Sequence, residues 1–318
     1  MRHARIRPQH TDTFMHLYNR VGGHVGEYPF GPCEKEYFIN LMHKLTNLYT
    51  VQIMAYQLMG NHFHMIGFAP GAALPEADAV DRFNRYYDGK RVVIAGSPRA
   101  EFLPNQLRDV SRFMKDLQQG FTRWFNRTRP VRRRGHLWQE RFKNTILEDG
   151  LAVWDCWKYV EMNPVRAHLA ASPADYRFCS FGAWAGTGRN PCDDALLNRV
   201  IRSLPAELGV TDTDSLHRAL RKVFAITAAV DAAQPQAVVE AVALRAAEKE
   251  AFSTRVDRRV RYWVDGLVIG SDVFVKTLVA QARGEWAVSK RRLARAVAPD
   301  PAVSRPALYA FKQLRTII

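Results

Sequence analysis

Cysteine is scarce and dispersed: Cys33, Cys156, Cys179 and Cys192 are the only four, and no CxxC spacing occurs among them. That excludes a zinc knuckle and a disulfide framework, and predicts reduced, mostly buried thiols. Long apolar runs are also missing, so no segment reads as a membrane-spanning helix and no membrane partner is expected. Met1 to Thr13 is basic and carries His and Gln where an export signal needs an apolar stretch, so the cytoplasm is the expected location. Convincing internal repeats are absent too.

Acidic residues are the other shortage. Asp and Glu number 31 against 46 Lys and Arg, giving a net charge of +15 and a pI near 9.9. A positive field of that size attracts polyanions and speeds their encounter, so nucleic acid is the leading partner class. At 318 residues, with 47% hydrophobic and 24% charged residues, the chain has the composition of a folded globular protein with one large domain or two.

Periodicity places the elements. Thr13 to Val21 has strand composition and is followed by Gly22, Gly23 and Gly26. Cys33 to Asn47 spaces Phe38, Leu41, Met42 and Leu45 as a helix does. Tyr49 to Leu58 and His62 to Phe68 read as an antiparallel hairpin. Gly71 to Pro104 has little sustained period and reads as an insertion. Leu107 to Asn126 is a strongly periodic helix, and Arg127 to Gly135 an exposed basic loop broken by Pro130. Trp138 to Leu147 reads as a strand, with Asp149 expected to cap a helix running to Met162. Beyond Gly186 the composition shifts to Ala, Val and Arg, with helical periods over Asp214 to Val230 and Gln236 to Phe252. A domain boundary is therefore expected between 1–188 and 189–318, the second part being a mainly helical, basic extension. Lys290, Arg291, Arg292 and Arg295 form a further cluster there, suited to phosphates.

Two short segments carry chemistry. His62 and His64 alternate on one strand and so face one side, where both imidazoles can reach a single ion. Such a pair is common by chance in a chain with ten histidines, and a solvated or core pair is the competing reading. The second segment, WKYVEMNPVRAHL, puts Tyr159 and Asn163 four apart on a helix face. Two imidazoles and an amide oxygen leave coordination positions open, which suits octahedral Mg²⁺ or Mn²⁺ acting as a Lewis acid on a phosphate. A phenol is a poor nucleophile until it loses its proton, and positive charge such as that of Lys158 or Arg166 lowers that cost. Taken alone, Tyr159 fits a packed aromatic and Asn163 a helix stop before Pro164.

The basic loop holds Arg129, Arg132, Arg133 and Arg134, flanked by Trp124, His136 and Trp138. Guanidinium groups beside aromatic faces stack unpaired bases and grip the backbone of a single strand. A solvated charge run and a core indole at Trp138 are the alternatives.

Five motifs in order resemble those of the REP-associated tyrosine transposases, relatives of the single-tyrosine insertion-sequence transposases. They are MHLYNR (with His16 and Arg20), AYQLMGNHFHMI, GHLWQERFKNTILEDG (with Arg141), WKYVEMNPVRAHL and DYRFCSFGAW, covering about Ile6 to Ala185. The resemblance implies an α+β fold: a ferredoxin-like antiparallel sheet with packed helices, the HUH transposase domain. It makes Tyr159 the nucleophile of a transient 5′-phosphotyrosine link that frees a 3′-hydroxyl, and His62 and His64 the metal ligands. Asn163 stands where many relatives use Gln. Single-stranded DNA with hairpin-forming palindromic repeats is the implied partner, and a homodimer is an open arrangement. Arg20, Arg141 and Arg166 join the loop residues as candidate DNA contacts. A segment like YWVDGLVIGSDVFV, at Tyr262 to Val275, occurs in long relatives. Two further readings stay open: a hairpin-binding protein without transposition activity, and a metal-dependent nuclease that uses water.

Overall fold

A computed structural model describes residues 6, 11–23, 27–130, 134–232, 263, 266–283, 293–297 and 308–312. The chain begins with β1 (Thr13–Arg20), α1 (Pro32–Thr46), β2 (Gln52–Leu58) and β3 (His62–Ala69). Three helices follow, α2 (Glu76–Tyr87), α3 (Pro98–Leu107) and α4 (Val110–Thr128), before β4 (Lys143–Leu147). Then come α5 (Leu151–Glu161), a short α6 (Asn163–Arg166), α7 (Ser180–Thr187), α8 (Asp194–Ser203) and α9 (Thr213–Ala232). The last described elements are β5 (Gly266–Gly270), α10 (Asp272–Arg283), β6 (Leu293–Val297) and β7 (Leu308–Lys312).

The first four strands lie in the order β2-β3-β1-β4, every neighbour antiparallel. With α1 crossing from β1 to β2 and α2–α4 crossing from β3 to β4, this is the ferredoxin-like arrangement. Three strands extend it: β5 pairs in parallel with β4, and β7 and β6 follow antiparallel, giving seven in all. The sheet therefore continues across the 188/189 division. The described part of 189–318 is mainly helical, as expected, but it also contributes these strands, which local sequence pattern does not predict.

Side-chain alternation separates the two faces of the sheet. Phe63 meets Phe38 of α1 at 4.9 Å between ring centroids and Trp138 at 5.4 Å. Phe121 of α4 stacks into the same cluster. Burial of aromatics at this density is the main force holding α1 and α4 to the sheet. The residues one step away on β3, His62 and His64, point to the opposite face, where α5 packs against β2 and β3.

Three expectations are corrected. The 71–104 stretch is not irregular: α2 buries Ala79, Val80 and Phe83 on one face, and Ser97 caps α3 by accepting from the Ala100 N–H. Asn84 ties the intervening loop down by bonding both the N–H and the C=O of Val93. Glycine and proline at the segment ends hide two short amphipathic helices. The strand expected from Trp138 is confined to β4, with Trp138 making an isolated bridge to Val21. The cap of α5 is Gly150, at a positive φ of 80°, while the Asp149 carboxylate accepts from Gly150 N–H and Ser203 Oγ–H.

The thiols are free, with Cys156, Cys179 and Cys192 buried and Cys33 exposed. Among the described residues no helix is long and apolar enough to cross a membrane. The helix expected over Gln236 to Phe252 lies outside the described residues, as do Lys290, Arg291 and Arg292.

Candidate active site

Register assembles the site. On β3, His64 is opposite Tyr18 of β1, and His62 is opposite Arg20. His16, two residues back along β1, faces the same side and reaches diagonally, its Nε2 2.9 Å from His64 Nδ1. Its Nδ1 lies 3.0 Å from the backbone carbonyl of Trp263. Thr145 of β4 donates to that same carbonyl at 3.1 Å. His62 Nδ1 is 2.8 Å from Asn61 Oδ1, while Asn61 Nδ2 donates to the Glu27 carbonyl at 3.0 Å. That second bond fixes which end of the Asn61 amide is oxygen, so His62 Nδ1 carries the proton and Nε2 keeps a lone pair.

Helix α5 brings Tyr159 onto this face. Its ring is edge-on to His64 (5.5 Å, 84°) and to His16 (5.8 Å, 83°), and Trp263 stacks on it at 5.8 Å and 23°. The residue is only 4% exposed, and its hydroxyl has no hydrogen-bond partner among the described residues. The Arg166 guanidinium lies 6.0 Å from the ring centroid.

Electrostatics follow from burial. His62 is pushed down to about 4, by burial first and by the Arg20 charge second. His64 is lowered well below the usual imidazole range, by burial and by its two histidine neighbours. Both rings are thus neutral at physiological pH, the state in which imidazole is a ligand. Burial, with Cys156 beside it, raises the Tyr159 phenol above its ordinary value, while Arg166 and Asn163 pull the other way. The phenol is therefore protonated in this arrangement.

Asn163 sits half-buried where α5 gives way to α6. Its Nδ2 donates to the carbonyls of Tyr159 at 2.9 Å and Val160 at 3.2 Å, so Oδ1 is the end able to act as a ligand. Among the described residues no group of three or more His, Cys, Asp or Glu is arranged to hold an ion. The donor set on offer is two neutral imidazoles and one amide oxygen. By the chemistry of its donors, such a set suits a divalent cation that retains water or phosphate ligands.

The other candidate residues divide into two sets. Arg20 is exposed beside His62, and Lys143, exposed on β4 opposite Tyr18, extends that basic edge. Arg134, His136 and Arg141 are exposed on the segment leading into β4. By contrast, Arg129 pairs with Glu34, whose carboxylate also accepts from Gly31 N–H at the start of α1, and its guanidinium lies over Phe125. Trp138 packs among Phe30, Phe38, Phe63 and Phe121 on the face away from the histidines, with its N–H on the Gln118 carbonyl. Lys158 is paired with Asp155. Arg132 and Arg133 lie outside the described residues.

Sequence reasoning missed the contacts of His16 and the placement of Trp263. Alternation along β1 puts His16 on the face of Tyr18, but its contact with His64 depends on a register that no local pattern encodes. Trp263 meets His16 across 247 residues of sequence.

No family profile matches the chain, and no curated protein does. Among solved structures, the chain is similar to a REP-associated tyrosine transposase. That protein was solved bound to a REP hairpin; the likeness has a TM-score of 0.40 and 15% identity, and covers 60% of this chain and 89% of the other.

Proposed function

We propose that this protein cleaves and rejoins single-stranded DNA through a covalent bond to Tyr159, as a transposase acting at hairpin-forming palindromic repeats. The observation that carries the reading is the shared face: the Tyr159 ring lies 5.5 Å from that of His64, and His62 stands beside His64 at 5.3 Å. A tyrosine packed only for stability has no need to share a face with two neutral imidazoles, one of them paired across the sheet with Arg20.

In the proposed step the Tyr159 oxygen attacks the scissile phosphorus. The phenol gives its proton to solvent as a 5′-phosphotyrosine bond forms, the bond from phosphorus to the 3′ oxygen breaks, and that oxygen takes up a proton from solvent to leave as a 3′-hydroxyl. Rejoining is the reverse, with a 3′-hydroxyl displacing the tyrosine. His62, His64 and Asn163 would hold Mg²⁺ or Mn²⁺, which supplies Lewis-acid polarisation of the phosphate when bound. Arg166 offsets the charge that develops on the phenol oxygen. Arg20, Arg134, His136 and Arg141, with Arg132 and Arg133, would track the strand, and Lys143 joins them. Tyr159 is almost wholly buried, with Trp263 stacked on its ring, so a phosphate would reach the phenol oxygen only after a local rearrangement. A DNA substrate also implies work in the cytoplasm, and a homodimer remains compatible with the site.

Cleavage of a labelled single-stranded hairpin in Mg²⁺ or Mn²⁺ tests the reading. A transposase loses cleavage in both Tyr159→Phe and His64→Ala, a water-using nuclease loses it only in His64→Ala, and a binding protein shows none in the wild type.

A further inference from the structure

The hydrogen bonds of His16 form a one-way chain. A backbone carbonyl can only accept, so the contact of His16 Nδ1 with the Trp263 carbonyl at 3.0 Å requires the hydrogen on Nδ1. A neutral ring has one such hydrogen, which leaves His16 Nε2 as an acceptor. Its partner 2.9 Å away, His64 Nδ1, must then be the donor. His64 consequently holds its proton on Nδ1 and its lone pair on Nε2. Asn61 imposes the same tautomer on His62.

From this geometry we infer that His16 is a positioning residue, which relays the Trp263 carbonyl to His64 and so keeps His64 Nε2 open toward a divalent cation. The inference rests on the proposed metal role of His64. Ligand histidines take their tautomer and orientation from the partner of their other nitrogen, and loss of that partner typically weakens metal affinity about 10- to 100-fold. Here the partner is itself a histidine, fully buried on an interior strand and anchored to the Trp263 carbonyl. Thr145 holds the same carbonyl in place.

The test uses the full-length chain with Mn²⁺ as the probe. Long-range ¹⁵N–¹H correlation spectra of the metal-free wild type, assigned by comparison with His64→Ala, should show His64 protonated at Nδ1. Mn²⁺ affinity followed by electron paramagnetic resonance should fall about 10- to 100-fold in His16→Leu. It should largely recover in His16→Gln, whose amide oxygen can take the place of Nε2; a purely space-filling role would favour Leu at least as much as Gln. A proton on Nε2 of His64 in the wild type, or Mn²⁺ affinity in His16→Leu within twofold of the wild type, overturns the inference. A wild type with the assigned tautomer but no Mn²⁺ binding would support the relay and sink the metal reading, because the spectra need no ion.

Discussion

Tyr159 and His64 reach one another from different elements, a helix and a strand, with ring planes 84° apart and centroids separated by 5.5 Å. Neither ring has a carboxylate beside it among the contacts of the described site. The phenol is raised by burial and the imidazole lowered by it, so both are neutral at rest. In the proposed reaction, chemistry at this pair would depend on charge brought to it, by Arg166, by an ion and by the substrate itself.

Arg166 is the charge already in place. At 6.0 Å and an effective dielectric near 20, a unit charge is worth about 3 kcal/mol, which partial exposure reduces to about 1 or 2. Arg166→Gln should slow the formation of covalent adduct about tenfold and leave Mn²⁺ affinity unchanged. Single-turnover kinetics alongside Mn²⁺ titration check this, and an unchanged rate removes Arg166 from the mechanism.

The basic edge and the aromatic cluster should respond differently to mutation. Arg20→Ala and Lys143→Ala are each expected to weaken binding of single-stranded DNA and to flatten the dependence of log K on log salt, by about 0.7 for every phosphate that is no longer neutralised. Trp138→Ala should instead lower stability by about 3 to 5 kcal/mol, because its indole fills the core on the other face. Salt-dependent fluorescence anisotropy and denaturant melts separate the two. A Trp138→Ala variant with normal stability and poor DNA affinity would return that residue to the interface.

Glu161, fully buried two residues beyond Tyr159, supplies a pH signature of the scaffold. Burial raises its carboxyl to about 7, against opposing hydrogen bonds from Ser180, Cys179, Phe181 and Trp157. The folded state thus binds a proton that the unfolded chain releases near 4.5, so stability falls as pH rises from about 4.5 to about 7. The loss integrates to roughly 3 kcal/mol. Glu161→Gln carries no titrating group, so its stability relative to the wild type should increase across that window and level off above it. Urea melts from pH 5 to 8.5 measure the difference; a constant difference would show that Glu161 is ionised throughout.

Gly150 sets the start of the helix that carries Tyr159. Its φ is +80°, and an added Cβ would lie 2.7 Å from the Ser203 carbonyl oxygen. Gly150→Ala should cost at least about 2 kcal/mol, from the strain of a positive φ and from displacement of α8. Thermal unfolding tests it, and a neutral effect would mean that the turn is free to readjust.

Local pattern made much of this molecule legible. Alternation along Thr13 to Val21 and His62 to Phe68 marked β1 and β3, and with them the shared face of His62 and His64. The four-residue spacing of Tyr159 and Asn163 marked one helix face, although the chain breaks into α6 at Asn163 itself. Pairing over long separations was not legible. Gly266–Gly270 is a five-residue apolar run that becomes a strand only by docking on β4, and Trp263 enters the site through that docking. The basic loop misled in part, because charge content does not reveal that Arg129 is held by Glu34.

The central claim is that Tyr159 bonds to DNA, and peptide mapping of a trapped complex tests it most directly. Incubation with a single-stranded hairpin and Mn²⁺, followed by denaturation, nuclease trimming and tandem mass spectrometry, should yield the peptide containing Tyr159 carrying a nucleotide phosphate on its phenol oxygen. The adduct should be absent from Tyr159→Phe. Cleaved DNA with a free 5′-phosphate and no modified peptide, or an adduct that persists in Tyr159→Phe, would contradict the account.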